Sequence, residues 1–413
     1  MREVEPGTIV TVDARGLRER TYWRLETRPH RDGRDATVKR VRELLEDIVR
    51  RQLVSDVPRC VLLSGGLDSS TITALAAARL REHSEQVRSF AVDFVGQTEH
   101  FKPDALRATP DTPYVHEVAA HVGSLHADIV LGDRELADPE VRRNVIKARD
   151  IPTGLGDMDA SLYLLFKAIR AHSTVALSGE SADEIFGGYR QFHDPTVQRA
   201  HGFPWLAGGF APFLAVDTVL RPDLLAILDL EGYRRERYER AIAEVEHLES
   251  ESDLERRMRI SSYLHLTRFL RMLLDRKDRM SMAVGLEVRV PFCDHRLVEY
   301  VYNAPWSLKT CDAREKSLLR GAARDVLPAS VVDRVKSPYP STQDPRYVGD
   351  IQQQVAELLG DPAHRVFDLI DRSTLQDAAE QTPEAIAPGA RRALEQALDL
   401  GAWLDIERPE IVL

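Results

Sequence analysis

Directly after the apolar run Cys60-Val61-Leu62-Leu63, and directly before the Ala-rich helical stretch Ser69 to His83, the chain reads Ser64-Gly65-Gly66-Leu67-Asp68-Ser69-Ser70. A short, fully apolar run is typical of a strand buried on both faces, so these residues form a tight strand-to-helix connection. The two glycines let the backbone turn sharply and bring its N–H groups close to a ligand. The hydroxyls of Ser64, Ser69 and Ser70 add donors at the positive end of a helix. The product is an anion cradle. A Gly-x-x-x-x-Gly-Lys-Ser/Thr loop would supply a lysine, whereas this loop supplies Asp68, which repels phosphate unless a divalent cation intervenes, so the site implies Mg²⁺. A structural turn capped by Asp68 or Ser69 would account for the helix start but does not need Ser-Gly-Gly.

Around that loop the pattern alternates strand and helix. Phe90-Ala91-Val92 predicts a second strand, Thr112 to His121 a helix, and Ile129-Val130-Leu131 a third strand. Met158 to Ala171 then reads as a helix and Thr174-Val175-Ala176-Leu177 as a fourth strand. Such alternation predicts an α/β fold with a doubly wound parallel sheet, whose ligands sit beyond the carboxyl ends of the strands. Upstream, Thr8 to Val12 and Thr21 to Leu25 predict a hairpin, Pro29 to Asp35 a linker, and Val38, Val41, Leu44, Leu45, Ile48 and Leu53 an amphipathic helix. Beyond Pro212 the reading is mostly helical, including Ser252 to Asp275 and Ala313 to Val326, which predicts a helical C-terminal subdomain. The uncharged stretch Phe203 to Val216 contains Pro204, Gly208, Gly209 and Pro212 and reads either as a buried turn or as an apolar lid.

A second polar cluster, Ser178-Gly179-Glu180-Ser181-Ala182-Asp183-Glu184 through Gly187-Gly188-Tyr189, follows the fourth predicted strand and so opens on the same sheet edge. Glu180 and Asp183 are three apart and are expected to share a helical face, where one carboxylate can hold Mg²⁺ and the other can move protons. Further along, Glu287 and Arg289 read as a structural ion pair near a bend at Pro291 and are kept out of the catalytic set.

Ser-Gly-Gly-x-Asp-Ser is the fingerprint of the ATP pyrophosphatases, which cleave ATP between the α- and β-phosphates. The second cluster narrows the resemblance to asparagine synthetase and its amide-forming relatives, where the segment usually reads Ser-Gly-Glu-Gly-Ser-Asp-Glu followed by Gly-Gly-Tyr. Ser181 and Ala182 depart from that pattern. Asp278 to Ala283 with Gly285 to Asp294, the segment Pro328 to Ser337, and the helices ending in Ala402-Trp403-Leu404 resemble the same synthetase domain. The resemblance implies an adenine nucleotide α-hydrolase-like fold and an ATP- and Mg²⁺-dependent ligase that makes an acyl-adenylate, releases pyrophosphate and admits an amine. By that likeness Ser64, Gly65, Gly66 and Ser69 hold pyrophosphate, and Leu62, Val92, Ser178 and Gly179 frame ATP. Asp68 and Asp183 hold Mg²⁺, Glu180 is the general base, and Lys336 stabilises the charged transition states. A lone lysine is usually solvated, so the role of Lys336 rests on the resemblance alone. Aspartate is the default acceptor, but Asp157 and Asp159, in the segment where relatives contact the acceptor, predict an anionic pocket unfavourable to a small dicarboxylate.

Glutamine-dependent members begin with a cysteine directly after Met, and position 2 here is Arg2. Residues 1–33 therefore resemble the last hairpin of a glutaminase domain plus linker, and 34–413 the synthetase domain. Nitrogen is expected from ammonia, another amine or a separate glutaminase subunit. Alternatives are a β-lactam or lasso-peptide cyclase-like lactam synthetase, or a nucleotide binder without catalysis. The formal charge of −10 argues against nucleic acid as partner, and no apolar stretch is long enough to span a membrane. Three scattered cysteines suit the cytoplasm rather than a disulfide framework. A homo-oligomer is compatible with all of this.

Overall fold

A computed structural model describes residues 3–103, 107–207 and 219–412. The chain opens with an exposed antiparallel hairpin, β1 (Thr8–Asp13) and β2 (Gly16–Thr21). Its second strand lies ahead of the predicted Thr21 to Leu25 run. Every residue of β2 is exposed, so no buried face imposes the apolar alternation that would mark it.

The body of the fold then runs α1 (Arg34–Gln52), β3 (Arg59–Leu62), α2 (Leu67–Arg81), β4 (Arg88–Phe94), α3 (Thr112–Val122), β5 (Leu125–Leu131), α4 (Pro139–Arg149), α5 (Asp157–Arg170), β6 (Val175–Leu177) and α6 (Ala182–Phe186). After these come α7 (Asp253–Leu264), α8 (Leu270–Ala283), β7 (Glu287–Arg289), α9 (Ser317–Ala323), α10 (Pro345–Gly360) and α11 (Pro388–Glu407). The sheet order is β5-β4-β3-β6-β7 and every pairing is parallel. Strand β3 enters at the centre, the chain builds outward to β5, and it then returns to place β6 on the other side of β3. The order therefore reverses between β3 and β6, which is where open α/β sheets leave a crevice for ligands.

Alternation along the strands separates two cores. Val61, Leu63, Val175 and Leu177 join α1, α2 and α3 on one face. Cys60, Phe90 and Ala176 join α5, α10 and α11 on the other. Full burial on both faces explains why β3 and β6 read as unbroken apolar runs. Strand β7 escaped prediction because it is three residues long, charged at both ends and paired along one side to β6. Its Arg289 does pair with Glu287 at 2.7 Å, as expected, and also donates to Gln52 O and Val54 O, closing the end of α1.

Two helices differ from expectation. The Ser252 to Asp275 stretch is interrupted by a π turn at His265–Phe269 and continues to Ala283. The Ala313 to Val326 stretch shrinks to α9, because Ala313 and Lys316 both have positive φ (61° and 56°) and cannot propagate a helix. Of the Phe203 to Val216 stretch, Pro204–Ala207 is a short helix. Residues 208–216 lie outside the described residues, and the choice between turn and lid lies there with them. Among the described residues no helix is long and apolar enough to cross a membrane.

Candidate active site

Both motif loops leave the sheet at its switch point. Val61 is in register with Leu177, so the loop after β3 and the loop after β6 start side by side. Gly65 takes φ +67°, and a Cβ there would lie 2.8 Å from Tyr114 Cβ and from Val115 N, so the turn is pressed against the first turn of α3. Ser69 sits inside α2 and reaches back. Its Oγ accepts from the Ser64 N–H at 3.0 Å and lies 2.9 Å from Ser64 Oγ. Ser69 thus braces the cradle from within. Gly179 closes the crevice from the other side: a Cβ on it would come within 2.6 Å of Ser69 N. No other residue permits the second loop to rest on the first turn of α2. Leu62 ends β3, and Val92 continues β4 at the same carboxyl edge, both partly buried.

Three acids and three lysines meet there. Lys316 Nζ lies 2.6 Å from Asp68 Oδ2 and 2.6 Å from Asp183 Oδ1. Lys336 Nζ is 2.8 Å from Asp183 Oδ2, and Lys277 Nζ is 2.8 Å from Glu180 Oε2. Lys277 also donates to Ser178 Oγ at 2.8 Å. Asp68, Asp183, Glu180 and Lys336, expected to work together, are therefore brought together. Lys316 and Lys277 were not foreseen. Lys316 fell inside a predicted helix, and Lys277 lies in the charged run Arg276-Lys277-Asp278-Arg279, which looks like a solvated helix face.

Burial governs the electrostatics. It pushes the Asp68 carboxyl up, with the Asp183 charge adding and Lys316 opposing. In Asp183 burial acts in the same direction but is outweighed by Lys316 and Lys336, which hold it at about 2. For Lys336 burial disfavours the charge, yet Asp183 and Asp68 more than offset it and hold the amine above the ordinary lysine value. Lys336 is thus a standing positive charge. The donors also suit a hard divalent cation: two carboxylates converge on one cationic nitrogen, and Asp183 Oδ1 is buried without a well-aligned hydrogen bond.

The second loop does not place Glu180 and Asp183 on one helical face. Helix α6 begins only at Ala182, and Ser181 before it adopts φ +80°. Glu180 therefore belongs to the loop and points to a different lysine from Asp183. Ser181 is buried, with its Oγ 2.7 Å from Cys293 Sγ. Beneath the cluster Glu184 is fully buried and accepts from Tyr189 OH at 2.6 Å. Burial, with the charges of Asp183 and Glu180, pushes Glu184 up to about 8.

Among the described residues, Asp157 and Asp159 do not form the expected anionic acceptor pocket. Asp157 is 2.5 Å from Arg391 Nη2 and accepts from Thr342 N and Ser341 Oγ. Asp159 is 2.5 Å from Arg276 Nε. Both acids are buried ion-pair members that tie α5 to the C-terminal helices and to α8, so neither presents an uncompensated charge. Desolvation selects this outcome, because an unpaired buried carboxylate is far more costly than a paired one.

Residues 40–405 match the family described as asparagine synthase. The chain is 38% identical over 386 residues to the glutamine-hydrolyzing asparagine synthetase 3 of Bacillus subtilis (strain 168), covering 92% of this chain and 61% of that protein. It is 28% identical to asparagine synthetase 1 of the same organism, covering 82% and 55%. With asparagine synthetase B of Escherichia coli (strain K12) the figures are 29% identity, 78% and 48%. The chain thus spans about half to three-fifths of the length of these relatives. Matched over most of its own length, and with both motif loops apposed at the switch point of a parallel sheet, the chain belongs to the asparagine synthase family.

Proposed function

We propose that this chain is an ATP-dependent amide-forming ligase that activates a carboxylate as an acyl-adenylate and then transfers it to ammonia or another amine, with aspartate as the default acceptor. The observation that carries this reading is the meeting of the Ser-Gly-Gly turn with the Asp68, Asp183, Lys316 and Lys336 cluster at one crevice. A carboxylate oxygen attacks the α-phosphorus, the bond to the β-phosphate oxygen breaks, and pyrophosphate leaves. The amine nitrogen then forms the amide bond as AMP departs with the former carboxylate oxygen.

Ser64, Gly65 and Gly66 and the first turn of α2 receive the leaving pyrophosphate, with Ser69 holding their turn. Leu62, Val92, Ser178 and Gly179 frame the nucleotide. Asp68 and Asp183 would hold Mg²⁺, which supplies neutralisation of the phosphate oxygens when bound. Lys316 and Lys336, paired with those acids in the free protein, are the cations available to the phosphates. Glu180 takes the proton of the incoming amine. Its side chain is 25% exposed against 15% for Asp68 and 12% for Asp183, which makes it the most open of the three acids. With Asp157 and Asp159 neutralised, no repulsion is expected against a dicarboxylate acceptor.

Residues 1–33 form the hairpin and linker toward a nitrogen-supplying module, whether a further domain or a separate glutaminase subunit, and 34–413 carry the ligation. Three free cysteines accord with a reducing cytoplasm. Purified protein with ATP, Mg²⁺, ammonium and a panel of carboxylates including aspartate is expected to form AMP and pyrophosphate, with ¹⁸O passing from the acid into AMP. No AMP with any acid, or AMP without label, would overturn the assignment.

A further inference from the structure

A separate cluster lies on the edge strand of the sheet. His116 belongs to α3, while His126 and Asp128, two residues apart, project from one face of β5. His116 Nε2 is 2.7 Å from Asp128 Oδ2, and His126 Nε2 is 3.0 Å from Asp128 Oδ1. All three ligand atoms lie within 4.8 Å of one another.

Ser89 is buried and lies behind the His126 ring, its Oγ 2.9 Å from His126 Nδ1 and 2.6 Å from Ser124 Oγ. Ser124 Oγ in turn lies 3.2 Å from Val87 O, which also accepts from Leu125 N at 2.8 Å. Ser89 can therefore accept an Nδ1 proton from His126 while donating to Ser124, which leaves Nε2 as a ligand atom facing Asp128. A buried hydroxyl behind the ring is an outer-shell partner that can hold a metal-binding histidine in that tautomer.

We propose that His116, His126 and Asp128 form a binding site for a divalent transition cation of the zinc class, with water as fourth ligand. Two imidazoles and a carboxylate suit such an ion and not Mg²⁺ or Ca²⁺. Bonds of about 2.0–2.1 Å in tetrahedral geometry place ligand atoms ~3.4 Å apart. The present separations of 2.7 and 3.0 Å, made to the two different oxygens of Asp128, would open by about 0.4–0.7 Å, and the three ligand atoms already lie within 4.8 Å of one another. The bound ion would clamp α3 to β5. Because Tyr114 and Val115 of the same helix abut the Gly65 turn, it would also stiffen the support of the nucleotide loop.

The test is Zn²⁺ binding by the full chain, stripped with a chelator and titrated at neutral pH against a chromophoric competitor. A single equivalent is expected, weakened by at least about tenfold in His126→Ala and Asp128→Asn, and by about tenfold in Ser89→Ala, which leaves all three ligands in place. His116→Ala, on an exposed side chain, guards against misfolding and must weaken binding as well. Co²⁺ should give the visible absorption of a tetrahedral site in the wild type and not in His126→Ala. Failure of the wild type to hold Zn²⁺, or wild-type affinity retained in His116→Ala or His126→Ala, overturns the proposal.

Discussion

Replacing Lys316 by Met removes one ammonium and little volume. Asp68 and Asp183 each approach Lys316 Nζ to 2.6 Å, so their nearest oxygens are no more than about 5.2 Å apart, twice that distance. At an effective dielectric of ~20 two such charges repel by about 3 kcal/mol. Leaving a buried acid without its partner costs ~3–5 kcal/mol in comparable sites. Lys336 still holds the far oxygen of Asp183, which argues for the lower end. A loss of about 3 kcal/mol is therefore expected at neutral pH. The lost cation leaves Asp68, already pushed up by burial, with a folded-state pKa raised further. A raised carboxyl binds more protons folded than unfolded, so the deficit is full above the folded pKa and shrinks as pH falls toward ~4, the unfolded value. Unfolding of wild type and Lys316→Met, across that range and with or without Mg²⁺, measures this. Mg²⁺ should stabilise the variant more than the wild type, because two unopposed carboxylates bind a divalent cation better than two already holding an ammonium. An unchanged midpoint at neutral pH, or a loss indifferent to both pH and Mg²⁺, would refute the electrostatic reasoning and leave a packing role.

Glu180→Gln should lower amide formation by about 10²–10⁴-fold while sparing carboxylate-dependent exchange of pyrophosphate into ATP, a split that isotope exchange resolves. Ser181→Gly should be more stable than Ser181→Ala by ~1–2 kcal/mol in chemical denaturation, because both lose the contact with Cys293 and only alanine keeps a Cβ at φ +80°. Lys336 is held above the ordinary lysine value, so its charge persists until the pH rises past that value. The activity profile should show no loss attributable to it below pH ~10, and Lys336→Ala should be inactive across the range.

The sheet, its parallel sense and the crevice at its carboxyl edge were legible in the residue pattern, because burial on both faces leaves unbroken apolar runs and a glycine turn after such a strand marks the edge where the loops meet. Gly65, Gly179, Asp68, Asp183 and Glu180 were found for that reason: each lies within a few residues of a strand end, where the register carries it to the crevice. Chain order could not place Lys316 and Lys277. They approach from segments 99 residues (Lys277) and further (Lys316) along the chain from Ser178, and a lysine in a charged run looks the same whether it meets water or a buried carboxylate. Strand β2 was misplaced because it is exposed on both faces, and β7 was missed because it is too short to express a period. Asp157 and Asp159 taught the reverse lesson, since their charges were visible in the sequence while the arginines that cancel them were not. What the sequence alone determined is the local chemistry of turns and apolar runs, which follows from φ, Cβ and burial at neighbouring positions. The balance of charge around the crevice was left to the tertiary structure, because it depends on which distant side chains are desolvated together.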